Sequence, residues 1–213
     1  MDYLVPYQYG EAEFVEKRSR FIGQVWPVES EEQAKALIAE TKSKYHDARH
    51  NCWCYIIRSD GKSSAGVIRY ADDGEPQGTA GQPMLELFRW AGIENVLCVV
   101  TRYFGGILLG TGGLTRVYAN TAKLALEAAG IAEMRLWTCM DIVCPYSLLD
   151  SIKNEIDQFG GKIENADYGT DVSLSAIFPA QTVTSFEKRL ADLSAGTVNG
   201  VVTGAKHIAV PIK

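Results

Sequence analysis

The sequence predicts an α+β fold in two domains, residues 1–132 and 133–213. Three observations predict it. The chain has 213 residues, long for one compact α/β unit and comfortable for two, since domains run to about 100–150 residues. Strand-like alternation and helix-like periodicity replace one another along the whole length, with glycines closing the helical stretches. The last third runs strand, helix, strand, strand, helix, strand, which is the ferredoxin-like order.

Each element has a local reason. Gly10–Glu16 and Phe21–Trp26 alternate with period two and read as neighbouring antiparallel strands. Ser30-Glu31-Glu32-Gln33 is a capping box opening a helix, whose stripe is Ala34, Leu37, Ile38, Thr41 and Tyr45. Asn51–Arg58 is a strand, turned at Asp60-Gly61 to a partner over Ser64–Tyr70. A helix is expected over Thr79–Ala91, with Pro83 tolerated in the first turn. Asn95–Thr101 is a buried strand, and Leu114–Ala129 a helix closed by Gly130. In the second domain Trp137–Val143 is a strand and Pro145–Phe159 a helix stopped by Gly160-Gly161. Lys162–Tyr168 and Asp171–Phe178 pair around Gly169. Thr184-Ser185-Phe186-Glu187 reads as a second capping box, and Thr197–Thr203 as the last strand.

Composition narrows the function classes. Hydrophobic residues make up 46% and charged residues 22%, values of a folded globular chain. The uncharged stretch Tyr103–Thr115 is too short and glycine-rich to span a bilayer, and Met-Asp-Tyr-Leu-Val-Pro-Tyr-Gln has no secretory pattern. A cytoplasmic location without membrane partners is expected, with the five cysteines as thiols. The net charge of −5 opposes indiscriminate polyanion binding. Positive charge is nevertheless clustered. Asn95–Leu126 holds Arg102, Arg116 and Lys123 and no acid, and Lys42–Tyr70 holds six basic residues against two acidic.

Three constellations could carry chemistry. The first runs from Thr101 through Arg102, Tyr103, Phe104, Gly105, Gly106, Gly110, Gly112 and Gly113 to Arg116. Glycines allow close backbone approach, a helix start supplies free N–H groups, and two arginines bracket the loop, so the segment suits an anion. The spacing is neither a Walker A loop nor a dinucleotide fingerprint, and no cofactor is expected. A tight strand-to-helix crossover explains the glycines equally well. Arg116, Asn120, Lys123 and Glu127 extend a polar helix face opposite Val117, Tyr118, Thr121, Ala125 and Ala128. The second constellation is the acidic loop Asp72-Asp73-Gly74-Glu75, which could bind a cation, hold the basic loop by ion pairs, act in acid–base chemistry, or be a solvated turn. The third is His46, His50, Cys52 and Cys54. It lacks ligands from a second element and is not read as a metal site. Cys52 and Cys54 are assigned to the core and His50 to the anion site. No hydrolase motif is visible and no catalytic residue is assigned.

These segments together resemble the YigZ/IMPACT family. The resemblance rests on Lys17-Arg18-Ser19-Arg20-Phe21-Ile22, His50-Asn51-Cys52-Trp53-Cys54-Tyr55, Asp72-Asp73-Gly74-Glu75-Pro76 through Pro83, and Val100-Thr101-Arg102-Tyr103-Phe104-Gly105-Gly106 through Leu114. It implies a first domain with the ribosomal protein S5 domain 2-like fold and a ferredoxin-like second domain, a pair similar to domains IV and V of elongation factor G. It also implies a translation-linked role. The kinase-pathway role of eukaryotic relatives belongs to an extra N-terminal domain and is not carried over.

The expected function is therefore regulation linked to translation by binding the ribosome or RNA. Arg102, Arg116, Lys123, Lys17, Arg18 and Arg20 would contact phosphates, and Tyr103 and Phe104 would stack on bases. Two other classes stay open: an enzyme for a small phosphorylated substrate, and an adaptor that binds a protein partner.

Overall fold

The computed structural model describes residues 2–59 and 66–212. It divides into two compact units, Tyr3–Glu133 with the chain from Ala209 onward, and Met134–Ile208. Among the described residues, no helix is long and apolar enough to cross a membrane.

The first unit is built on a five-stranded antiparallel sheet. Its strands are β2 (Gly10–Glu16), β3 (Ser19–Pro27), β4 (His50–Ile57), β5 (Val67–Ala71) and β6 (Val96–Tyr103), in the order β2-β3-β6-β4-β5. A short strand, β1 (Tyr3–Pro6), precedes them. β6 is central and apolar almost throughout, because both of its faces are covered. Cys98 and Val100 join the larger core, under α2 (Gly81–Trp90) and α3 (Thr111–Ala129). Leu97 and Val99 join a smaller core with Ala34 and Ile38 of α1 (Glu31–Lys44). The register pairs His50 with Arg102 across β4 and β6 and Phe21 with Arg102 across β3 and β6. This register brings three of the singled-out segments to one end of one sheet face.

The capping box expected at the start of α1 is half formed. Ser30 Oγ accepts from Gln33 N at 3.2 Å, but Gln33 Oε1 accepts from Glu29 N, one residue before the expected partner. α3 begins at Thr111, not Leu114, so Gly112 and Gly113 are its first turn and not part of the loop. Gly110, at φ +74°, turns the chain into it. On α3 the face of Arg116, Lys123 and Glu127 is exposed as expected. Ala128 is exposed too, and Ala122 and Leu126 take its place in the buried stripe.

The second unit contains β7 (Ile131–Cys144, entering from the first unit), α4 (Tyr146–Gln158), β8 (Lys162–Tyr168), β9 (Val172–Pro179), α5 (Val183–Ser194) and β10 (Gly200–Pro211). β9 lies between β7 and β8, and β10 pairs with the other side of β7. That arrangement is ferredoxin-like. Its core holds Met140, Ile142, Ile152, Ile156, Leu174 and Phe178, with Phe186 4.3 Å from Phe178 between ring centroids. The second capping box is not formed. Residues 180–182 make a 3-10 turn that runs into α5, so Thr184 lies inside the helix, and Thr182 Oγ1 bonds back to Pro179 O. The turn at Asp60-Gly61 lies outside the described residues.

Candidate functional site

The acidic loop is bound into the first unit by its own side chains. Asp72 accepts from Gly78 N (2.8 Å), Ala80 N (3.1 Å) and Gly81 N (2.8 Å), and so satisfies free amides where α2 begins. This capping moves the helix start from the expected Thr79 to Gly81. Asp73 accepts from Lys42 Nζ (2.6 Å) and Asn51 N (2.7 Å), fastening the loop to α1 and the start of β4. Asp73 itself sits at φ +45° before Gly74 at +88°. Two of the three carboxylates are thus committed to holding the loop.

The third, Glu75, is buried and central. It accepts from Arg102 Nη1 at 2.5 Å and from the Tyr118 hydroxyl at 2.8 Å. The Arg102 and Glu75 side chains are only 6% and 3% exposed, which makes this a buried ion pair. Arg102 is also flanked by aromatic rings, its guanidinium carbon 5.4 Å from the centroids of Phe21 and of Phe104. Arg102 Nε lies out of water with no hydrogen-bond partner.

His50 completes the group. Its Nδ1 lies 2.8 Å from the Asp73 carbonyl, which can only accept, so Nδ1 carries a proton. Nε2 is 3.9 Å from Glu75 Oε1. The Cys52 sulfur lies 2.9 Å from the Asp72 carbonyl and 3.4 Å from the Tyr118 oxygen. Burial pushes the Cys52 thiol and the Tyr118 hydroxyl well above their ordinary ranges. Both groups therefore act as neutral donors and not as nucleophiles.

The bracketing arginines do not meet. Arg102 faces a cavity of about 590 Å³ shared with His50, Glu75, Phe104, Leu108 and Thr111. Arg116 lines a separate cavity of about 460 Å³ with Phe14, Glu16, Lys17, Leu109 and Asn120. The cause is topological. Arg102 ends the central strand pointing into the sheet–helix core, whereas Arg116 is five residues into α3 on its exposed face. Tyr103 points away from both, donating its hydroxyl to Asp47 at 2.8 Å. Arg20 is paired with Glu13 at 2.7 Å. Lys123 lies 3.7 Å from Glu127 on the exposed face.

Sequence reasoning placed Lys17 and Arg18 among the phosphate contacts but gave no sign that they form the turn between β2 and β3. Glu16 pairs with Ser19, so Lys17-Arg18 is a two-residue loop, and both residues have positive φ, +45° and +64°. Such loops favour Asn-Gly, because a side chain is strained there. A cation pair stands in this position instead. The turn is held from below by Gly105, where a Cβ would come 2.1 Å from Arg18 C and 2.4 Å from Ser19 N, and Gly105 N donates to Ser19 Oγ at 3.1 Å. Gly105 is therefore present for close approach, and Gly106 for its φ of +84°. The Lys-Arg pair was visible in the sequence, but a hairpin turn lacking Gly and Asn gave no turn signal.

Fold and site together define a two-unit α+β protein. Its first unit carries a buried polar cluster beneath a glycine-rich strand-to-helix connection. Residues 17–126 match the Impact N-terminal domain family, and residues 142–197 match a domain of unknown function, DUF1949. The chain belongs to the IMPACT family. It is 37% identical over 182 residues to IMPACT family member YigZ of Escherichia coli (strain K12), covering 85% of this chain and 88% of the relative. To IMPACT family member YvyE of Bacillus subtilis (strain 168) it is 33% identical, covering 91% and 88%. A solved structure described as that of a hypothetical protein is 33% identical and aligns over 100% of this chain and 98% of its own, with a TM-score of 0.58.

Proposed function

We propose that this protein is a translation-linked regulator that binds the ribosome or RNA, with phosphates held along an exposed cationic edge of the first unit. Membership of the IMPACT family supports the translation-linked role, which the resemblance to that family implies. The observation that carries the binding reading is the strained Lys17-Arg18 turn. Two cations occupy left-handed backbone that glycine would fill at lower cost, and strain of this kind clusters at functional positions. Arg116 and Asn120 of α3 line the same cavity as Lys17. Phe104, 48% exposed beside Gly105, is placed to stack on a base.

This assignment shifts the phosphate contacts from Arg102 to Lys17, Arg18, Arg116 and Lys123. Reversing the charge of Arg102 would bury an unpaired carboxylate and unfold the unit, so it does not test binding. Lys17→Glu with Arg116→Glu does, because both side chains are exposed. The wild type is expected to cosediment with ribosomes or shift RNA at low salt, and the double variant to do neither while its circular dichroism is unchanged. Absence of wild-type binding under those conditions refutes the reading.

A further inference from the structure

The cavity facing Arg102 has a composition that phosphate-backbone binding does not explain. Its walls are apolar, from Pro76, Phe104, Leu108, Leu109 and Leu114. Leu108 at its edge is 80% exposed. Its volume of about 590 Å³ lies in the range of small-molecule sites. The polar groups are few: Arg49, His50, the Arg102–Glu75 pair and the start of α3 at Gly110 and Thr111. They come from three parts of the chain: the start of β4, the acidic loop, and the end of β6 with its connection to α3. Burying an ion pair beneath apolar walls brings no stability that a hydrophobic pair would not match.

We infer that this cavity binds a small anion with an apolar body, of the class of aliphatic carboxylates or aromatic phosphate monoesters. The sign follows from the charges. Glu75 is compensated by Arg102 and Tyr118, which leaves Arg49 and the positive end of α3. That helix has no side-chain cap at Gly110 and no acidic residue in its first turn, so its leading amides are open to an anion. The second observation is Arg102 itself. Its side chain is 94% buried, lines this same cavity, and leaves Nε without a partner. A bound anionic head supplies what the open amides lack, and the leucine and phenylalanine walls take the body. The two readings share Phe104, but none of the polar groups of this cavity lies on the Lys17–Arg116 edge, so each can fail without the other.

The test uses the full chain, labelled with 15N, titrated into the millimolar range with hexanoate, phenyl phosphate, 1-hexanol and inorganic phosphate. Saturable amide shifts at Thr111, Gly112 and Gly113 are expected with hexanoate or phenyl phosphate, and whichever binds identifies the head group. Thr111→Asp places a carboxylate where the anion would sit while favouring the helix dipole. It should keep or raise Tm and weaken binding by about tenfold or more. Lys17→Glu with Arg116→Glu should leave this binding intact. Three results would overturn the inference: no saturable shift with either anion, equal shifts with 1-hexanol, or equal shifts with inorganic phosphate alone. Unchanged binding by folded Thr111→Asp would overturn it as well.

Discussion

At the scale of single residues, the first unit spends stability in two places that can be measured. The Lys17-Arg18 turn holds two side-chain-bearing residues at positive φ. Replacing the pair with Asn-Gly, which a two-residue hairpin prefers, should stabilise the protein by about 1 kcal/mol or more. The same change should remove ribosome or RNA binding, and urea unfolding with cosedimentation on one sample reads both effects. The second place is the Arg102–Glu75 pair. Glu75→Ala leaves a guanidinium buried without its counter-charge and should cost about 3–5 kcal/mol. Adding Arg102→Met removes the orphan charge, so the double variant should recover much of that loss. Additive losses in the cycle would mean that the pair is not coupled as its 2.5 Å contact indicates. The charges of both residues are plain in the sequence. Ion pairing of the acidic loop with the basic loop is one of the readings the sequence allows, but which residues pair is not legible, because Glu75 and Arg102 lie 27 residues apart and meet only in the fold.

At the scale of elements, the apolar periodicities made most of the fold legible, and glycine hid the rest. The central strand, the alternating hairpin and the stripe of α3 through Val117, Tyr118, Thr121 and Ala125 are all readable as period two or 3.6. The start of α3 is not, because Gly112 and Gly113 disfavour helix by about 1 kcal/mol each relative to alanine, and a glycine run reads as loop. Gly110 turns the chain at φ +74° and the helix begins at once. Gly112 lies in helical backbone, and a Cβ there would meet nothing within 4 Å. Gly112→Ala should therefore stabilise by about 0.5–1 kcal/mol in urea unfolding. Gly105→Ala is the opposite case. Its Cβ would strike backbone atoms of Arg18 at 2.1–2.2 Å, so a loss of about 1–3 kcal/mol is expected, together with a displaced cationic turn and weaker binding. The last strand is expected over Thr197–Thr203 and runs over Gly200–Pro211, and its full length is hidden for another reason. From Val201 to His207 it is exposed residue after residue, so burial imposes no alternation on the sequence. The candidate site was half legible. Its residue types were marked by their density along the chain, but their division between a buried cavity and an exposed edge depends on which way a strand end and a helix face point.

At the scale of the whole molecule, the proposed binding requires an acidic chain of net charge −5 to hold a polyanion with local charge alone. The consequence is quantitative. Each phosphate neutralised on a single strand releases counterions and contributes about −0.7 to the slope of log K against log salt. Lys17, Arg18, Arg116 and Lys123 are the exposed cations along the edge, so four contacts give a slope of about −3. Net negative charge elsewhere repels the ligand at low salt, but it is screened beyond about 10 Å at ordinary ionic strength and adds little to the slope. Lys17→Glu with Arg116→Glu removes two of the contacts and should halve the slope as well as weaken binding. Lys188→Glu changes the net charge by the same step per residue, but on α5 of the second unit, and should leave the slope near the wild-type value. Fluorescence anisotropy with a labelled RNA across a salt series separates these cases. Equal effects of the two kinds of variant would mean that overall charge governs binding, and the cationic edge would lose its role.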